Sequence, residues 1–384
     1  MLVYLDNCST TKQYDKVTSK MLYYMENEFG NPSSLHSMGL SAEKALKEAR
    51  GNISKALGFS DGEIFFTSGG TEADNLTLFG AAAAGKRRGN KIITTAVEHP
   101  AVTECCKKLS DMGVEVKYVG VDEKCRLNIG ELIDGVDEKT ILISMMHVNN
   151  ETGTIMPLDE VARIKKNAVL HSDAVQSFCK LPLNDIKADI VTVSAHKIHG
   201  PKGCGAVAVR KGVNIAPHIL GGGQEKNLRS GTENVAAIAG FGEAAEIAAA
   251  DLKNRAQKLE SARNYLLNGI KAEINDIMVN SVEETSISGK SGFCSPAILN
   301  ISFLGTKGEV ILHGLESDKI YVSTGAACSS NKKGKSRTLT AMGLSDKEID
   351  GALRFSFNEF NTIEEMDFVL IKLKEQITRF RKSV

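Results

Sequence analysis

The sequence predicts an α/β fold: a large domain on a mainly parallel sheet covered by helices, with a smaller α+β domain beside it. Two observations carry this. Between about residues 41 and 210, short apolar β-type runs alternate with helical or loop segments. Beyond residue 235 a long alanine-rich helical stretch gives way to mixed strands and helices. A length of 384 residues suits two domains.

The first helix is expected where Ala42, Ala45, Leu46, Ala49, Ile53, Ala56 and Leu57 recur at helical spacing, with Ser41 as its N-cap. Strand-like runs follow at residues 63–67, 91–95, 114–119, 140–145, 168–172, 189–194 and 205–210. A polar, glycine-rich stretch spans residues 221–232. One long helix is then expected from Val235 into the 260s, with the domain boundary inside it near residue 255. The last part should hold strands at 297–303, 310–312 and 353–357. The division is therefore 14–255 for the large domain, and 1–13 with 256–384 for the small one.

Composition narrows the function. Lys+Arg and Asp+Glu are both 47, so no cationic excess points to a nucleic acid. No apolar run approaches the roughly 18 residues that span a bilayer, and no basic, apolar leader opens the chain. A cytoplasmic protein is the expectation. The 8 cysteines include no C-x-x-C pair, so they are expected as free thiols, not a zinc site. His196 and His199 lack the third ligand that a metal needs, and no metal is expected.

Five segments carry chemistry. Ser194-Ala195-His196-Lys197-Ile198-His199-Gly200 follows an apolar strand. It therefore sits at a strand's carboxyl end, where open α/β sheets bind ligands. A lysine there can form a Schiff base, although most lysines are simply solvated. His171-Ser172-Asp173-Ala174-Val175-Gln176 ends an earlier strand. Its Asp173 can cap a helix, or can keep a pyridinium nitrogen protonated. Thr67-Ser68-Gly69-Gly70-Thr71-Glu72 runs from strand through glycine turn to helix, an arrangement that suits a phosphate. It is neither a P-loop nor a dinucleotide fingerprint. In Val97-Glu98-His99-Pro100 the histidine can stack on an aromatic cofactor and move protons, or merely begin a helix. Cys328 lies in the polar segment Ser323-Thr324-Gly325-Ala326-Ala327-Cys328-Ser329-Ser330, followed by Lys332, Lys333 and Lys335. Basic neighbours favour a reactive thiolate.

In their order along the sequence and over nearly the whole chain, these segments resemble the cysteine desulfurases of the NifS/IscS type, within the class V aminotransferase group. Residues 4–11 (Y-L-D-N-C-S-T-T), residues 30–36 (G-N-P-S-S-L-H) and Leu353-Arg354-Phe355-Ser356 extend the resemblance. It implies a fold-type I PLP-dependent transferase with a mainly parallel seven-stranded sheet, and pyridoxal 5'-phosphate (PLP) as cofactor. It makes Lys197 the Schiff-base lysine and Asp173 the partner of the pyridine nitrogen. Gln176 and Asn150 would bond the ring hydroxyl. His99 would stack on the ring. Gly70, Thr71, Ser194 and His196 would hold the phosphate. Thr232 would reach the phosphate of a second subunit, which implies a homodimer. Arg354 would clamp the carboxylate of L-cysteine beside Asn31, and Cys328 would accept the sulfur. The persulfide would then pass to an iron–sulfur scaffold protein or a tRNA-thiolation enzyme.

Three departures stand out. The cysteine segment reads S-T-G-A-A-C-S-S where relatives often show S-S-G-S-A-C-T-S. Asn358-Glu359 occupies the place of a Gly-Arg pair common in relatives. Cys8 replaces a usual alanine, so it is either a second active-site thiol or a small buried residue. Rival readings are a selenocysteine lyase or another class V enzyme, and a catalytically silent scaffold. Transamination needs no nucleophilic thiol, so Cys328 favours the desulfurase.

Overall fold

The computed structural model describes residues 1–324 and 335–383. Its centre is a seven-stranded sheet. In chain order its strands are β2 (Ile64–Thr67), β3 (Lys91–Thr95), β4 (Glu115–Val119), β5 (Thr140–Met146), β6 (Val169–Asp173), β7 (Ile190–Ser194) and β8 (Gly205–Val209); a short β1 (Val3–Tyr4) precedes them. Spatially they run β2-β8-β7-β6-β5-β3-β4. β8 is antiparallel to both its neighbours, and all other pairings are parallel. Every residue of β5, β7 and β8 is buried, as helices on both faces of a parallel sheet require. The carboxyl ends of β2, β3, β5, β6 and β7 thus share one edge.

Two smaller sheets follow. β9 (Ile277–Val279), β10 (Ile298–Phe303) and β12 (Ala352–Ser356) form an antiparallel sheet in the order β12-β10-β9. β11 (Ile320–Tyr321) pairs with β1 in parallel, so the N-terminal segment joins the late part of the chain. One apolar core gathers side chains such as Ile93, Ile143, Phe178, Val191 and Phe241 around the large sheet. Another gathers Leu5, Leu266, Phe303, Phe355 and Leu370 around the later strands and helices.

Three expectations need correction. The helix Ser37–Leu57 starts one turn before the alanine periodicity, and His36, not Ser41, is its cap: the His36 ring accepts a hydrogen bond from the Gly39 N–H. It stops at Gly58, whose φ of 67° is left-handed; a Cβ there would lie 2.0 Å from the Asn184 carbonyl oxygen. The helix expected from Val235 onward is two helices, Val235–Ala250 and Leu252–Glu273. Asp251 leaves helical geometry (φ −124°, ψ 31°) because the alanine-rich half packs on the first core and the Leu259/Leu266/Ile270 stripe on the second. Residues 310–312 are not a strand but part of the helix Gly308–Ser317, where Ile311 and Leu315 face inward at i, i+4 and Val310 is exposed. Short apolar runs carry no period of their own.

Candidate functional site

Five loops leave the shared strand edge and enclose a cavity of about 270 Å³. Its walls include Gly70, Thr71, His99, Asn150, Asp173, Gln176, Ser194, His196, Lys197 and Arg354, together with Cys8, Ser9 and Asp74. Ten of the expected site residues therefore meet in one place.

Each arrives for a local reason. Asp173 is the last residue of β6; one carboxylate oxygen accepts from the Val175 N–H at 2.9 Å. Burial raises its pKa, and the neighbouring His99, the Val175 hydrogen bond and the Lys197 charge act against that rise. Lys197 sits on the single turn Ala195–Lys197 that follows β7. Its ammonium donates to the carbonyl of Cys8 and, at 2.8 Å, to that of Ser9. His99 caps the helix Pro100–Asp111: its Nδ1 accepts from the Ala101 N–H at 3.2 Å. That leaves Nε2 to carry the proton of the neutral ring. Burial lowers its pKa, against the pull of the Asp173 charge. Burial, aided by Lys197, Lys202 and Lys180, lowers His196 to about 4.

Arg354, on β12, is 3% exposed. It donates to the Asn150 carbonyl, to Asp6 Oδ1 and to Ser9 Oγ, each at 2.9 Å. Gln176 donates to the Cys8 carbonyl at 3.0 Å and accepts from Lys180 at 3.3 Å. The helix Gly70–Gly85 begins at the cavity wall, so its first turn aims backbone N–H groups inward.

Asn31 and Thr232 are exposed and lie outside this cavity. Thr71 also lines a neighbouring cleft of about 370 Å³ with Glu72, His218 and Arg229, where Arg229 Nε pairs with Glu72 at 2.7 Å. Cys328 lies outside the described residues.

The sequence reading missed three participants. The Cys8 and Ser9 carbonyls that hold Lys197 are backbone atoms and carry no residue-type signal. Asp74 reads as an ordinary helix residue, yet it is fully buried on the cavity wall, and one of its carboxylate oxygens lies 3.6 Å from His171 Nε2. Burial and the Asp173 charge push its pKa well up. Cys8 itself is buried and lines the cavity.

PLP fits this donor set. Among the described residues, Ser194 Oγ is buried at the cavity wall without a hydrogen-bond partner, and so is Arg354 Nε. Unsatisfied buried polar atoms are costly and call for a polar ligand. A primary amine, a buried carboxylate and a helix N-terminus meet there, matching an aldehyde, a ring nitrogen and a phosphate respectively.

Comparison with known proteins agrees with this geometry. The aminotransferase class-V family matches residues 3–369. A cysteine desulfurase IscS of Clostridium botulinum is 39% identical, over 99% of this chain and 95% of its own. The cysteine desulfurase IscS 1 of Archaeoglobus fulgidus is 40% identical, over 98% of this chain and 97% of its own. A solved NifS-like protein superposes with a TM-score of 0.91 at 39% identity, covering 99% of this chain and all of the other. The strand-edge cavity, its lysine and its buried aspartate are thus those of a chain that belongs to the class-V aminotransferase family.

Proposed function

We propose that this protein is a PLP-dependent cysteine desulfurase, which takes sulfur from L-cysteine, releases L-alanine and leaves a persulfide on Cys328. The observation that carries the reading is the convergence of Lys197, Asp173, His99 and Arg354 on one cavity. When bound, PLP supplies an electron sink for the bonds at the substrate's α-carbon.

The residues divide the remaining work. Lys197 would hold the cofactor, and its Nζ would take the substrate's α-proton. Asp173 would keep the ring nitrogen protonated. Gln176 and Asn150 would bond the ring hydroxyl, and His99 would stack on the ring. Gly70, Thr71, Ser194 and His196 would receive the phosphate, through N–H groups and the Ser194 hydroxyl. Arg354 binds the substrate carboxylate with a guanidinium already oriented by Asp6 and Asn150. The Cys328 thiolate attacks the substrate sulfur: an S–S bond forms, the Cβ–S bond breaks, and its electron pair passes to Cβ, which gains a proton to become the methyl group of alanine.

The described ends of the cysteine segment support this assignment. Ser323 and Arg354 exchange backbone hydrogen bonds, and the Ser336 hydroxyl donates to Glu151. Ser323 thus adjoins the substrate clamp, and Ser336 reaches Glu151, next to the Asn150 whose carbonyl receives Arg354. Asn31 and Thr232, exposed and outside the cavity, belong to a homodimer in which each subunit completes its partner's site. The exposed Leu22, Phe29, Leu35 and Leu40, close to Asn31 in sequence, suit that interface. The persulfide serves an acceptor protein, an iron–sulfur scaffold or a tRNA-thiolation enzyme, in the cytoplasm. Among the described residues no helix is long and apolar enough to cross a membrane.

The test is to record the visible spectrum and assay sulfide and alanine after adding L-cysteine and a thiol reductant. A yellow band, equal release of both products and loss of release in Cys328→Ala are expected. A yellow protein that acts only on selenocysteine, or only transfers amino groups, would replace the reading.

A further inference from the structure

The roles assigned above leave Glu359 unused. It follows β12 in the sequence, its side chain is 9% exposed, and it meets three groups. Arg255 Nε donates to its Oε1 at 2.9 Å, and the Tyr14 hydroxyl donates to the same oxygen. His199 Nε2 lies 3.4 Å from Oε2. Burial alone would raise the carboxyl's pKa; the hydrogen bonds of His199 and Arg255 and the Arg255 charge outweigh it and hold the group well below the ordinary range.

What these partners carry matters more than the cluster itself. His199 is two residues beyond Lys197 and has a left-handed backbone, φ 64°, which is strained for a residue with a Cβ. Strain of that kind persists only where surroundings over-determine it, and here they do. The Thr11 hydroxyl accepts from the His199 N–H at 2.8 Å, and the Lys12 carbonyl sits 2.7 Å from Nδ1. The Tyr14 ring stacks on the imidazole with centroids 4.5 Å apart, and the Tyr14 N–H donates to the His199 carbonyl at 3.0 Å. The same N-terminal stretch supplies the two carbonyls that receive the Lys197 ammonium. Beside Glu359, Asn358 donates to Asn7 Oδ1 at 2.9 Å and fastens that stretch a second time. A buried ion pair is a weak device for stability alone. One that grips both sides of a lysine's cradle has a further use.

We infer that Glu359 is a positioning residue for Lys197: by holding His199, Tyr14 and Arg255 together, it fixes both the turn that carries the lysine and the N-terminal stretch whose carbonyls receive it. The inference rests on the desulfurase reading.

Glu359→Gln keeps the side chain's size and removes its charge; Glu359→Asp keeps the charge and shortens its reach. Both are compared with wild type as holoenzymes, by the pH midpoint of the visible band, by kcat and KM for L-cysteine, and by melting temperature. A loosened lysine should lower kcat about tenfold in Glu359→Gln, with KM within about twofold, since small misplacements of reacting groups are costly. The band midpoint should move, and Glu359→Asp should recover part of both effects. Should Glu359→Gln fail to fold, Tyr14→Phe removes one donor only and should lower kcat about threefold with the same sign of band shift. A variant that melts lower yet keeps the wild-type midpoint, kcat and KM would overturn the inference, because a merely structural clamp behaves that way. A wild type lacking the band or sulfide release would instead sink the functional reading itself.

Discussion

The inner wall of the cavity and its rim are built by different rules. The wall (Asp173, Ser194, Lys197, Gln176) sits on or just beyond buried strand ends, and each residue except the Ser194 hydroxyl has a partner within this chain. The rim residues Asn31 and Thr232 are exposed and lie outside the cavity. On the proposed homodimer, one subunit would pre-form the chemistry and assembly would complete the site. Wall substitutions should act on chemistry without disturbing assembly, and rim substitutions should act through assembly or affinity.

The largest effect should come from Lys197→Ala, which removes the only amine among the described cavity-lining residues. Turnover should fall by roughly a thousandfold or more, with the visible band of the Schiff base lost, while the melting curve stays close to wild type. Asp173→Asn should cost about a hundredfold in kcat, because an amide cannot hold the ring nitrogen protonated. Since burial already disfavours the Asp173 carboxylate, its melting temperature should not drop; a large drop would show that the wall is a structural element as well. Arg354→Lys should lower kcat/KM by about tenfold or more, chiefly through KM, because an ammonium cannot offer the planar fork. At the rim, Thr232→Ala should weaken cofactor retention about tenfold, the cost of one hydrogen bond to a charged group. Leu35→Glu, at a fully exposed leucine, should reproduce that loss and convert a dimer to a monomer in sedimentation. Normal cofactor retention in a monomeric Leu35→Glu would erase the distinction between wall and rim.

The smallest effect concerns the layer behind the wall. Glu98 is buried, accepts from the Thr95 hydroxyl at 2.6 Å and the Met146 N–H at 3.0 Å, and burial raises its pKa to about 8. A carboxyl raised in the fold stabilises it fully below the ordinary pKa, and that contribution is lost as pH climbs through the folded value. Wild type should therefore melt lower at about pH 9 than at about pH 6, and Glu98→Gln should show a flatter profile. A Glu98→Gln slope equal to wild type would place the dependence elsewhere.

What was legible in the sequence follows the same division. Asp173, Ser194, His196 and Lys197 could be read because apolar strands end at them, and that edge is where the fold binds ligands. Rim residues were legible only through family resemblance, for nothing in an exposed Asn31 or Thr232 announces a role. Asp74 was hidden because a carboxylate early in a helix usually faces water, whereas this helix turns it onto the sheet. Residues 310–312 misled because three β-favouring residues in a row also fill one turn of a helix. The Lys197 cradle was beyond any residue-type argument, since it consists of main-chain oxygens brought near by tertiary packing.

The pairing of Arg354 with Asp6 and of Ser356 with Cys8 joins positions separated by 348 residues. Closing so long a loop is entropically costly, and contacts of that range form late. The helices and the parallel sheet are assembled from nearer neighbours. The substrate clamp and the lysine's cradle should therefore form late and come apart early. In rising denaturant, bound cofactor should leave before helical ellipticity falls, so that colour reports on the meeting of distant stretches of chain sooner than any probe of secondary structure.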